Sequence, residues 1–302
     1  PYEGKQTENN GMQFYFGPNH YQTLKQYNLD LERQIDLGYA VIRPVNKWLI
    51  IPVFNFLRNY IDNFGIIILL LTIIIKVILF PFTYKSYVSQ AKMRVLKPEV
   101  DELNGKFGPD KAMEKQQAMM ALYKKAGVNP MGGCLPMLLQ MPILFAMFFF
   151  FPTSIELRQE GFLWATDLST YDSILNLPFE IPFYGSHVSL FCLLMTITTI
   201  ISTAMNQQSL NSQSMPGMKT MMYMMPIMFL FILNSYSSGL SYYYFLANVI
   251  TIGQTYLMRY FVDEDKIHAQ LQANKKKPVQ KSNFQKRLED MARQKGVQMP
   301  KK

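Results

Sequence analysis

The sequence predicts an all-α integral membrane protein: a five-span helical bundle with a cytoplasmic α-helical hairpin. Three observations predict it. The 302 residues are 49% hydrophobic but only 17% charged, well under the roughly 25% usual for soluble chains. The apolar residues fall in runs of sixteen to twenty with almost no ions, and the ions gather in the connecting segments. The net charge of +9 collects beside the apolar runs, where a membrane surface or a ribosome suits it better than nucleic acid alone.

Residues 1–43 are polar and aromatic. The alternation Met12-Gln13-Phe14-Tyr15-Phe16, closed by Gly17-Pro18, predicts a strand and turn, and Tyr21 to Leu37 suggests a short helix. Such a piece buries no core alone, so it reads as the tail of an upstream soluble domain, which the resemblance given below implies to be the remnant of a periplasmic domain. The chain starts at Pro1 without a charged n-region and apolar h-region, consistent with the remainder of a longer protein. Residues 44–61 mix Trp48, Phe54, Phe56 and Leu57 with Lys47 and Arg58, the composition of an interfacial amphipathic helix.

Span 1 is placed at 62–83, where Phe64 to Phe82 holds one ionisable residue, Lys76, and 19 residues at ~1.5 Å each nearly cross a ~30 Å hydrocarbon core. Residues 84–127 carry nine Lys/Arg and five Asp/Glu on either side of Asn104-Gly105-Lys106-Phe107-Gly108-Pro109, an αα-hairpin pattern. Span 2 covers 131–152, an acidic-leaning periplasmic loop 153–186, span 3 187–206, a cytoplasmic loop 207–217, span 4 218–234 and span 5 239–259. A basic cytoplasmic tail, 260–302, ends the chain, and its Lys275-Lys276-Lys277-Pro278 run favours disorder. Twelve Lys/Arg in 259–302 and nine in the hairpin, against Arg158 alone in 152–186, put the N-terminus outside and the C-terminus in the cytoplasm.

Lys76 is the sharpest single residue. An ionised amine at that depth costs at least ~2.5 kcal/mol on insertion scales, so something must compensate. Thr72 lies one turn earlier on the same face and Gln140 sits mid-way along span 2, so the three suit a wet pocket in the bundle interior. The alternative is that the lysine snorkels toward the cytoplasmic end. Methionine is the second signal: Met215, Met218, Met221, Met222, Met224, Met225 and Met228 crowd span 4, fitting either an adaptable apolar surface or plain packing. Tyr242, Tyr243 and Tyr244 open span 5 as an aromatic belt would. Catalysis has little support, because His20, His187 and His268 are scattered and no HExxH, GxSxG or GxxxxGK[ST] stretch occurs. Cys134 and Cys192 lie in apolar segments, against a disulfide framework or metal site.

Five ordered motifs resemble the YidC family of membrane protein insertases, relatives of the mitochondrial Oxa and thylakoid Albino proteins. They are Leu79-Phe80-Pro81-Phe82-Thr83 with Ala91-Lys92-Met93-Arg94; Met119 to Tyr123 with Val128-Asn129-Pro130; Gly132-Gly133-Cys134-Leu135-Pro136 with Gln140-Met141-Pro142; Glu156-Leu157-Arg158 with Phe162-Leu163-Trp164 and Asp167-Leu168; and Gly239-Leu240 with Tyr243, Tyr244 and Asn248. The resemblance spans roughly 44–262 and implies a hydrophilic groove open to cytoplasm and lipid, with Lys76 at the position of the family's positive residue and Thr72 at its groove threonine. The familiar residue is arginine, and lysine keeps the charge without the planar fork of five donors. The same resemblance implies a hydrophobic slide of Pro142, Leu144, Met228, Ile232, Tyr243 and Tyr244, mobile cytoplasmic hairpin helices, and a tail that aids ribosome docking. Implied also are a non-enzymatic, monomeric insertase of the bacterial inner membrane without cofactor or metal. Its expected partners are nascent membrane proteins, the lipid bilayer, the Sec translocon and the ribosome, with no specific nucleic-acid sequence. The competing classes are a solute or ion transporter, in which polar groups would line a route through the whole membrane, and a scaffold for finished complexes. Against transport, the outer halves of the spans are poor in polar groups and no inverted repeat is visible.

Overall fold

The computed structural model describes residues 14–107, 111–129, 132–133, 135–207 and 218–276. Residues 1–13, 108–110, Pro130, Met131, Cys134, the loop positions 208–217 and the tail from 277 onward lie outside the described residues, and with them Met12, Met215 and the Lys277-Pro278 half of the Lys275–Pro278 run. Among the described residues the fold is mainly helical with one two-stranded sheet. By length and composition, one helix among the described residues is apolar and long enough to cross a membrane: α4, Phe64–Val95. Shorter apolar helices occupy Leu138–Thr153, Leu190–Asn206 and Thr220–Leu233.

The chain divides into two compact units. The first comprises residues up to Leu71, Pro142–Cys192 and Phe231–Tyr243. It opens with α1 (Tyr21–Gln26) and a 3-10 turn at Leu31–Gln34, not one helix to Leu37. Residues 14–16 form no strand, and among the described residues no strand pairs with them. A helix then runs through α2 (Ile42–Val45), a π-helical turn (Asn46–Ile50) and α3 (Ile51–Arg58). Pro52 explains the wide turn: it has no N–H for the Trp48 carbonyl, and just before it the Ile51 N–H bonds back to the Asn46 carbonyl. One face buries Ile50, Ile51, Phe54 and Leu57, with the Phe54 ring 5.9 Å from Phe64 and 5.2 Å from Phe150. The other exposes Trp48 and Phe56.

Asn63 starts α4, its side-chain oxygen accepting the Ile66 N–H at 3.1 Å and its carbonyl the Ile67 N–H. The segment expected to be a loop contains a hairpin, β1 (Leu175–Ile181) against β2 (Gly185–Val188), antiparallel with Leu175 opposite Val188. Its second strand takes His187 and Val188, so the helix expected from 187 starts at Leu190 (α8, Leu190–Gln207). A buried network fixes that start. Asp172 accepts from the Leu190 and Phe191 N–H groups at 2.9 and 3.1 Å, from Trp164 Nε1 at 2.8 Å and from the Ser189 hydroxyl. The buried Asn234 donates to the Tyr184 and His187 carbonyls, both at 2.9 Å, and accepts from the Ser189 N–H at 3.0 Å.

The second unit comprises Thr72–Met141, Leu193–Leu230 and the residues from Tyr244 on. Here α4 continues through 84–95, so the first stretch of the expected hairpin belongs to the long helix. The hairpin proper is α5 (Lys97–Lys106) and α6 (Ala112–Ala126). Gly127, at φ +71°, closes α6 with its N–H on the Tyr123 and Lys124 carbonyls. Met93, Leu96, Val100, Tyr123, Ala126 and Val128 form a buried cluster with Ile267 and Leu271 of α11, Glu264–Lys276. The start of the tail is therefore a packed helix. Asp263 caps it, accepting the Asp265 and Lys266 N–H groups, and these bonds hold its carboxyl below the usual carboxylate range. Arg94 pairs with Glu264 at 2.8 Å, and Lys275 pairs with Glu99. The remaining helices are α7 (Leu135–Thr153), α9 (Met218–Leu233) and α10 (Ser238–Phe261).

Candidate functional site

An ammonium in an apolar helix needs a polar neighbour, and the second unit supplies one. Lys76 on α4 is half-buried and its Nζ donates to Thr251 Oγ1 on α10 at 2.9 Å. Thr251 donates its own proton to the Ala247 carbonyl one turn back, at 2.7 Å. Its lone pairs are thereby left for the lysine. Among the described residues Thr251 is the ammonium's one hydrogen-bond partner. Thr72, one turn before Lys76, is fully buried, and Gln140 on α7 is half-buried and not bonded to the lysine.

A second polar contact lies one turn away. Asn248 donates to Thr199 Oγ1 at 2.7 Å and, more weakly, to Thr198 Oγ1 at 3.5 Å. Those hydroxyls in turn donate to the Met195 and Leu194 carbonyls of α8. Three threonines thus satisfy their protons on their own helices and turn acceptors toward an ammonium and an amide. Asn248 and Thr251 were not singled out for this role from the sequence. The signal was present: with Thr255 they stand at i, i+3 and i+7 on α10, a polar stripe in an apolar helix. No acidic residue occurs in 64–83, 135–153, 190–207, 218–233 or 238–261, so these helices contain no carboxylate counter-ion for Lys76.

The slide residues divide by exposure. Met228 and Ile232 on α9 are 52% and 53% exposed, alongside exposed Met221, Met224 and Met225. Pro142 and Leu144 on α7 and Tyr244 on α10 are half-buried. Tyr243 is fully buried, its ring set 6.2 Å from Phe151, so it forms packing and offers no contact surface.

Two further polar clusters lie in the first unit. Glu156 accepts from Arg58 at 2.7 Å and meets His20 Nε2 at 2.9 Å beside a small cleft, tying the N-terminal segment to α3. Asp167 sits where burial raises its pKa, but bonds from the Ser169 hydroxyl and from the Ser169, Gln159 and Thr170 N–H groups outweigh this and hold it below the usual range. Among the described residues no group of three or more His, Cys, Asp or Glu is placed to hold a metal ion.

Comparison with known proteins gives concordant matches. The family model described as 60Kd inner membrane protein matches residues 56–265. The membrane protein insertase YidC of Parabacteroides distasonis is 56% identical over 96% of this chain and 48% of its own length. That of Bacteroides fragilis is 52% identical over 94% of this chain and 48% of its own length. A solved structure of an active YidC insertase with its first transmembrane domain resolved aligns over 80% of this chain and 54% of that one, at TM-score 0.53 and 27% identity. The chain spans about half the length of the curated relatives it matches. A family model that covers more than two thirds of the chain, including α4, α10 and the Lys76–Thr251 contact, places the protein in the 60Kd inner membrane protein family, to which the YidC insertases belong.

Proposed function

We propose that the chain inserts newly made membrane proteins into the bilayer of the bacterial inner membrane, through a hydrophilic groove centred on Lys76. The observation that carries this reading is the Lys76–Thr251 contact: a cation in an apolar helix, held by a neutral hydroxyl and not by a carboxylate. Five spans, α4, α7, α8, α9 and α10, run with the N-terminus periplasmic and the C-terminus cytoplasmic, as the loop charges indicate.

In this reading a client's hydrophobic segment first meets the cytoplasmic hairpin. Its polar flank enters the groove near Lys76, Thr72 and Gln140, where protein polar groups replace water. Crossing bare hydrocarbon would instead leave backbone groups unsatisfied at several kcal/mol each. The hydrophobic segment then moves along the slide, Pro142, Leu144, Met228, Ile232 and Tyr244 backed by Tyr243, into lipid. Apolar transfer of about 25 cal/mol per Å² drives that step. The process needs no cofactor, metal or covalent chemistry, and the membrane potential assists charged flanks. The Sec translocon and the ribosome are the proposed partners, the latter through the basic tail. The Trp48–Phe56 face of the 42–58 helix lies along the periplasmic lipid interface.

The test is reconstitution of the purified chain in liposomes with protease-protected insertion of a single-span substrate as readout. Lys76→Ala is expected to reduce insertion of an acidic-flank substrate at least several-fold. Full insertion by that variant would remove the lysine from the mechanism, and ion flux in place of insertion would favour the transporter reading.

A further inference from the structure

A lysine side chain has four rotatable bonds and three donors, and alone it would swing toward the nearest water. At position 76 it does not: the ammonium is turned across to α10 and held at 2.9 Å by Thr251 Oγ1. The geometry of the holder matters as much as its distance. Because the Thr251 hydroxyl proton is already committed to the Ala247 carbonyl, the oxygen meets Lys76 only as an acceptor, and its position is set by the helix backbone. The next rung, Asn248 on Thr198 and Thr199, steadies the same face of α10 against α8.

We infer that Thr251 is the positioning residue of the groove lysine: it fixes the ammonium in the bundle interior without neutralising it, and leaves the remaining N–H donors for acceptors on an entering polar segment. This rests on the insertase reading. The occupants it favours are carboxylates and free backbone carbonyls. A carboxylate at 251 would hold the lysine as firmly but cancel its charge, and a hydrocarbon of the same shape would release it to snorkel. The hydroxyl alone combines placement with an uncompensated charge.

The distinguishing experiment uses the intact chain in proteoliposomes and two single-span substrates that differ only in an acidic or a neutral flank. Thr251→Val is expected to lower acidic-flank insertion roughly ten-fold, the scale of a lost hydrogen bond to a charged group, and neutral-flank insertion less than about two-fold. Thr251→Ser, which restores the hydroxyl, should return the acidic-flank rate to within about two-fold of the unaltered chain. Thr251→Asp should depress the acidic-flank substrate selectively while leaving the neutral one working. Equal loss for both substrates in the valine variant, or no rescue by serine, overturns the positioning role. If Lys76→Ala depresses acidic-flank insertion and Thr251→Val does not, the insertase reading stands and this inference falls. If the unaltered chain inserts neither substrate, both fall.

Discussion

Two polar centres, Asp172 with Asn234 in the first unit and Lys76 in the second, are partnered in opposite ways. In the first, Asp172 collects four hydrogen bonds and Asn234 satisfies both ends of its amide, so charge and dipole are saturated by the protein itself. In the second, Lys76 has a single neutral partner among the described residues. Saturated networks lock one structure, whereas an under-satisfied cation keeps attraction in reserve for something not yet bound. The first arrangement suits a fixed framework, and the second suits the groove proposed above.

The largest expected break of this contrast is at Asp172. Asp172→Ala removes the acceptor for Trp164 and for the first turn of α8, and unpaired buried groups cost ~1–3 kcal/mol each. A loss of about 4 kcal/mol, seen as a lower thermal midpoint in detergent, is expected whether or not insertion activity survives. Next is Leu271→Ala, at 1% exposure in the cluster that joins α11 to α5 and α6. Truncation there should cost about 3 kcal/mol and appear as faster amide exchange in α5, α6 and α11, with the first unit unchanged. Lys76→Met should act with the opposite sign. Exchanging an uncompensated ammonium for an apolar side chain of similar length should stabilise the protein by about 1 kcal/mol while acidic-flank insertion fails. A destabilised methionine variant would instead make the lysine part of the framework.

The smallest effect is a pH dependence in the first unit. Asp167 is held below its ordinary value in the folded protein, so the stability it contributes is present above the unfolded pKa of about 3.9. That contribution is lost as pH falls through the lower folded value. Thermal midpoints measured from pH 6 down to pH 3 should fall less steeply for Asp167→Asn than for the unaltered chain.

Sequence reading succeeded where one periodicity decides the outcome. Phe64 to Phe82 is apolar on every face, which a long helix in lipid allows, and Lys76 stood out because nothing around it explained it. The hairpin at 175–188 lay within the segment read as an acidic-leaning loop, although Leu175, Leu177, Phe179 and Ile181 alternate with Asn176, Pro178 and Glu180, and Pro178 weakens the strand signal there. Asp172 and Asn234 were invisible for a different reason. Each matters through a partner well separated in the chain, and no local pattern reports such a pairing. The packing of α11 was hidden by charge: its basic residues suggested a solvated tail, while Ile267 and Leu271, one turn apart, carried the buried stripe.

That last contact orders events in time. The hairpin's inner face, Val100 and Tyr123, leaves the ribosome roughly 140 residues before α11 exists to cover it. At ~5–20 residues per second the gap is on the order of ten seconds. Throughout it that face lacks the cover that Ile267 and Leu271 supply. A chain truncated before Glu264 would keep that face without its α11 cover for good.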